Sequence, residues 1–144
     1  MSSYASDAEI ERIGLRFLDL TLPKEAWTHA AHFSTALWLM RCRQDILPER
    51  DMPDLIRRYN EAVGGVNSAT SGYHETITQA SLRAARAILI VEGEDVPLHR
   101  VHAALMAGAC GDKDWLLAYW SRERLMSPEA RAAWMEPDLA PFAL

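Results

Sequence analysis

Apolar residues recur along the chain at the three-and-four spacing of an α-helix, interrupted by proline and glycine. Ile10, Ile13, Phe17 and Leu20 share one face behind Ser6 and Glu9, a pair that fits a capping box. A first helix is therefore predicted there, stopping near Thr21-Leu22-Pro23. The second helix starts at Pro23 or, with Thr28 as N-cap, at His29. It runs to about Arg43 on a stripe of Phe33, Ala36, Leu37 and Met40, and Leu47-Pro48 closes it. The third begins around Pro53, turns Leu55, Ile56, Tyr59 and Val63 inward, and ends at Gly64-Gly65. A polar loop, Gly64 to Gly72, leads into a fourth helix from about Tyr73 to Glu92, with His74, Ile77, Ser81, Leu82 and Ala85 on one face. Ile88 to Val91 alone also reads as a strand, but the Ala- and Arg-rich residues before it favour helix. A fifth helix opens near Pro97 and carries Leu98, Val101 and Leu105. Asp112 can cap a short helix through Trp115 and Tyr119, and Ser127-Pro128-Glu129 starts a last one ending near Met135. The expectation is all-α: a single-domain bundle of five to seven helices with a small C-terminal helical cap and a tail from about residue 136.

Length and charge narrow the function classes. A chain of 144 residues with 49% hydrophobic and 24% charged residues fits one folded domain spanning 1–144. Its net charge of −5, with histidine neutral, opposes non-specific nucleic-acid binding, which needs a basic field. There is no apolar stretch long enough to span a membrane, and Asp7, Glu9, Glu11, Arg12, Arg16 and Asp19 interrupt the first twenty positions, so a cytoplasmic protein is expected. Cys42 and Cys110 sit in apolar helical surroundings and read as inert packing.

Candidate chemistry centres on histidine. His29 and His32 are one turn apart, which places two imidazoles on one helix face about 5–6 Å apart at Cβ. If the helix opened by His74 packs alongside, three imidazoles converge and form a candidate centre for zinc, iron, manganese or nickel. The competing reading is structural, with ring nitrogens bonded to backbone or water. Glu75 is a candidate general base at the rim, or simply an acid favoured by the helix dipole. Thr78 stands where a zinc-protease helix needs its second histidine, which excludes that motif. Trp27, Tyr73 and Thr78 are candidate pocket residues. Arg122 and Arg124 could clamp a carboxylate or phosphate, or pair with nearby acids on an exposed face. His99 is expected to face solvent and His102 to lie near the apolar stripe. Two functions follow: a metal-dependent hydrolase acting on a small anionic molecule through a metal-activated water, or a non-catalytic ligand-binding or interaction module with structural histidines, able to bury its apolar surface in a homodimer.

Four stretches occur in a familiar combination: Trp27-Thr28-His29-x-x-His32, Gly72-Tyr73-His74-Glu75-Thr76-Ile77-Thr78, Ser121-Arg122-Glu123-Arg124-Leu125-x-Ser127-Pro128, and Trp134-x-x-Pro137-Asp138-Leu139. Together they resemble a family of short bacterial proteins of unknown function. The resemblance implies a small helical protein and no particular activity. It also implies that the histidines and the arginine-serine segment belong to one working region.

Overall fold

The structure, a computed structural model, describes residues 4–144. Among them are seven α-helices and no strand: α1 (Asp7–Leu18), α2 (His29–Cys42), α3 (Pro48–Ala62), α4 (Glu75–Glu92), α5 (Leu98–Ala107), α6 (Arg122–Leu125) and α7 (Pro128–Ala132). Single 3₁₀ turns occupy Lys24–Ala26, Ala109–Gly111 and Trp115–Ala118. No helix among the described residues is long and apolar enough to cross a membrane.

The fold is organised around α2, against which α1, α3, α4 and α5 all pack. Ala31 and Phe33 through Leu39 are buried on every side. The stripe expected from Phe33, Ala36, Leu37 and Met40 is therefore too narrow, because a helix enclosed by others has no polar face to show. Gly14 of α1 allows the closest approach: a Cβ there would lie 2.2 Å from Trp38 Cε3, so only glycine lets the indole lie flat on α1.

Side-chain caps fix where the helices start. Ser6, Thr28, Ser121 and Ser127 each accept a bond from the backbone N–H three residues on. Pro97 cannot cap α5, so Asp7 reaches across the molecule to do it, accepting from Leu98 N–H (3.2 Å) and His99 N–H (2.7 Å). The same carboxylate lies 2.7 Å from His99 Nδ1, so this half-buried ring is tied to α1 rather than facing solvent as expected.

Several boundaries differ from expectation for physical reasons. Pro48 opens α3 instead of closing the preceding helix, since proline suits the first helical position. Pro53 therefore lies inside α3 and leaves the Glu49 carbonyl without its usual donor. Gln79 of α4 supplies one, its Nε2 lying 3.1 Å from that oxygen. Arg86 also grips the Glu49 carboxylate, with Nη2 2.7 Å from Oε1. Leu20 is not part of the α1 stripe; it lies beyond the helix end with φ +65° and is 42% exposed. Cys42 is exposed at the end of α2, whereas Cys110 is buried, and burial pushes its thiol up to about 11. α7 ends at Ala132, and the tail beyond it packs down as Phe142 enters the ring cluster of Trp115, Tyr119, Trp120 and Trp134.

Candidate functional site

A cavity of about 280 Å³ lies between the start of α2, the middle of α3, the first turns of α4 and the segment from Lys113 to Met126. Its walls are apolar: Phe33, Ile56, Ile77, Leu82, Trp115 and Leu125. His29, His32, Thr78, Ser81, Lys113, Asp114 and Arg122 supply its polar groups. A second cavity, of about 400 Å³, lies on the other side of His32, against Trp27, Tyr59, Val63, Val66 and Tyr73. Four residues line both: His32, Ile56, Ile77 and Thr78.

His32 is the exception in α2. It is exposed although its neighbours Ala31 and Phe33 through Leu39 are all buried. The residue lines both cavities. One face stacks on Trp27 (4.1 Å between centroids, 28° between planes), and Trp27 stacks in turn on Phe17 (4.3 Å). Burial pushes the imidazole down to about 4, the nearby His29 adds to that shift, and no hydrogen bond opposes it. His32 is therefore neutral at pH 7, with both nitrogens available to whatever enters. His29, one turn earlier, lines the same cavity. Its Nε2–H donates to the Cys110 carbonyl at 2.7 Å, which leaves Nδ1 as an acceptor.

His74 does not join them as a metal ligand. It is the N-cap of α4 rather than a residue within the helix. Its Nδ1 accepts from Ile77 N–H at 3.1 Å, and its Nε2–H donates to the Leu125 carbonyl at 2.7 Å. With both nitrogens bonded to the chain it has no lone pair for an ion, so the three-imidazole centre expected from His29, His32 and His74 is not assembled. Among the described residues no group of three or more His, Cys, Asp or Glu side chains is placed to hold a metal. Burial, more than any neighbouring charge, holds the His74 ring below its ordinary value.

The remaining candidates separate in the same way. Glu75 is not in the cavity wall; its carboxylate accepts from the Tyr73 hydroxyl at 2.5 Å. Burial, reinforced by that carboxylate, pushes the Tyr73 phenol above its ordinary range. Arg124 turns to the tail, its Nε donating to the Glu136 carbonyl at 2.7 Å. Arg122 and Lys113 are both exposed where they line the cavity, and among the described residues neither is drawn into an ion pair. Trp27, Tyr73 and Thr78 line the second cavity, and Thr78 lines the first as well.

Sequence reasoning missed Ser81, Lys113 and Asp114 as cavity residues. Ser81 carried a signal, a small hydroxyl on an otherwise apolar face of α4. Lys113 and Asp114 carried none, because only the tertiary fold brings their loop to the cavity. His102 is buried near the apolar stripe, its Nε2–H donating to the Ala30 carbonyl at 2.9 Å. No family model, curated protein or solved structure matches this chain.

Proposed function

We propose that the protein binds a small anionic molecule with an apolar body in the cavity faced by His29 and His32. The observation that carries this reading is His32, an imidazole without a hydrogen-bond partner among the described residues and the one open position in the enclosed stretch of α2. Its ring nitrogens are open to the cavity, where a ligand can bond to them. The cavity suits such a ligand. An engineered apolar cavity of about 150 Å³ already accepts benzene, and this one is nearly twice that size, with Arg122 and Lys113 at its edge to meet a negative charge.

Hexanoate and hexanol, followed by tryptophan fluorescence, test the reading, since Trp27 stacks on His32 and Trp115 lines the cavity. Hexanoate should bind saturably and about tenfold or more tighter than the alcohol, in line with a charge-assisted bond. Arg122→Gln and His32→Phe should each weaken it. Equal affinity for acid and alcohol removes the anion, and no binding of either removes the reading.

A metal-dependent hydrolase is the second reading, favoured by one observation: His29 and His32 line the same cavity, and among the described residues His29 Nδ1 and the His32 nitrogens have no hydrogen-bond partner. Two imidazoles would then hold the ion and the remaining positions would fall to water and substrate. Zinc alone separates the two readings. Tight binding to the native protein that is lost in His32→Phe supports the metal, and no binding leaves the metal-free ligand.

A further inference from the structure

The two cavities differ in what they offer a ligand. Four polar side chains around the larger one are committed within the chain, while Lys24 and Ser71 are exposed at it. Tyr59 Oη donates to the Leu22 carbonyl (2.9 Å) and Asn60 Nδ2 to Asn67 Oδ1 (3.1 Å). Tyr73 Oη donates to Glu75, and both His74 nitrogens are bonded. With those four bonded, the wall of Trp27, Tyr59, Val63 and Ile77 is left to meet methylene groups. The smaller cavity holds uncommitted groups: His32, Nδ1 of His29, Ser81, and at its edge the cations Lys113 and Arg122 with the single carboxylate of Asp114.

The partition between them is thin and unequal. Ile56 is buried on α3, while Ile77 and Thr78 are fixed on the first turns of α4. His32 is held by stacking on Trp27 and by no hydrogen bond, so a rotation about its side-chain torsions moves it at little cost. We infer that the two cavities form one binding channel for an unbranched aliphatic carboxylate, whose carboxylate stays beside Arg122 and His29 while its tail passes His32 into the space bounded by Val63 and Trp27. This rests on the anion reading above and adds the shape and direction of the ligand.

Butanoate, hexanoate, octanoate and decanoate, titrated in turn, test it. Affinity should climb about fourfold per added methylene, the worth of a buried CH₂, and should still be climbing at decanoate. Val63→Phe, which fills the larger space, should flatten the climb, so that decanoate loses far more affinity than butanoate. A decanoate brominated at its far end should quench fluorescence in the native protein, and quench much less in Trp27→Phe, whichever way the Val63 variant folds. If the short acids bind but lengthening adds nothing and the bromine leaves Trp27 unquenched, the channel is wrong and the anion reading survives. If no acid of any length binds, both fall.

Discussion

His32 and His74 look alike in the chain, each beside a helix start and each followed by apolar residues at helical spacing. Their surroundings are opposite. Around His74 every polar atom has a partner. The ring caps α4 and holds the Leu125 carbonyl, Thr76 Oγ1 lies 2.7 Å from the Ala130 carbonyl and takes the Met135 N–H at 3.1 Å, and Arg131 Nη1 donates to the Gly72 carbonyl at 2.7 Å. This seam fastens the C-terminal cap to α4 and so sets Arg122 and Leu125 at the cavity. Around His32 there is stacking, open space and no bond. The difference shows that a histidine's neighbours in the chain do not tell a fastener from a binding group; the partner of each ring nitrogen does.

Removing parts of the seam should give the largest effects. Thr76→Val keeps the shape of a fully buried side chain but strands the Met135 N–H and a carbonyl. The cost expected from unpaired buried groups is about 3 kcal/mol in urea unfolding. His74→Ala should cost about 2 kcal/mol, from one cap and one buried bond. His74→Asn should recover roughly 1 kcal/mol of that, because asparagine caps well but cannot reach as far as Leu125. A loss under about 0.5 kcal/mol in both His74 variants would mean the ring is not a fastener and would erase the contrast with His32.

The seam also shows where the sequence was readable. Ser6, Thr28 and Ser127 announced their helices because a hydroxyl before a helical period has one favoured use. His74 concealed the start of α4, since an imidazole Nδ1 can cap as a hydroxyl does but is rarely read that way. Pro48 reads in the sequence as the end of one helix and Pro53 as the start of the next, yet α3 opens at Pro48 and runs through Pro53, whose abandoned Glu49 carbonyl is taken by Gln79, thirty residues on from Glu49. For the candidate site, His29, His32, Thr78 and Arg122 were named from spacing and residue type. That they share a cavity while His74 and Glu75 turn away depends on Leu125 and Tyr73 as partners, and no local pattern specifies those.

Acid should separate the two regions more gently. In His32 the folded ring resists protonation down to about 4 while the unfolded chain takes its proton near 6.5. The unfolded state thus binds more protons in that window, so stability is complete above 6.5 and falls as pH drops through it toward 4. His74 and His102, both lowered chiefly by burial, act in the same direction. Carboxylates held low by their partners, such as Glu49 and Asp51, add their loss further down. Unfolding midpoints between pH 7 and pH 5 therefore report mostly histidine. The slope should persist in Arg122→Gln and flatten in His32→Phe.

The smallest change in stability at pH 7 is expected from His32→Phe itself, within about 0.5 kcal/mol of the native protein, as for a substitution that breaks no bond. The phenyl ring can keep the stack on Trp27 and buries no polar atom against the cavity. What it removes is the pair of nitrogens, so binding of hexanoate should fall while the urea midpoint stays put. His74→Ala should do the reverse in part, lowering the midpoint first and binding only as far as α6 loosens. Urea unfolding and hexanoate titration on the same two variants therefore cross. If His32→Phe instead destabilises by as much as His74→Ala, the imidazole at the cavity is a structural group after all, and the open position in α2 was never waiting for a ligand.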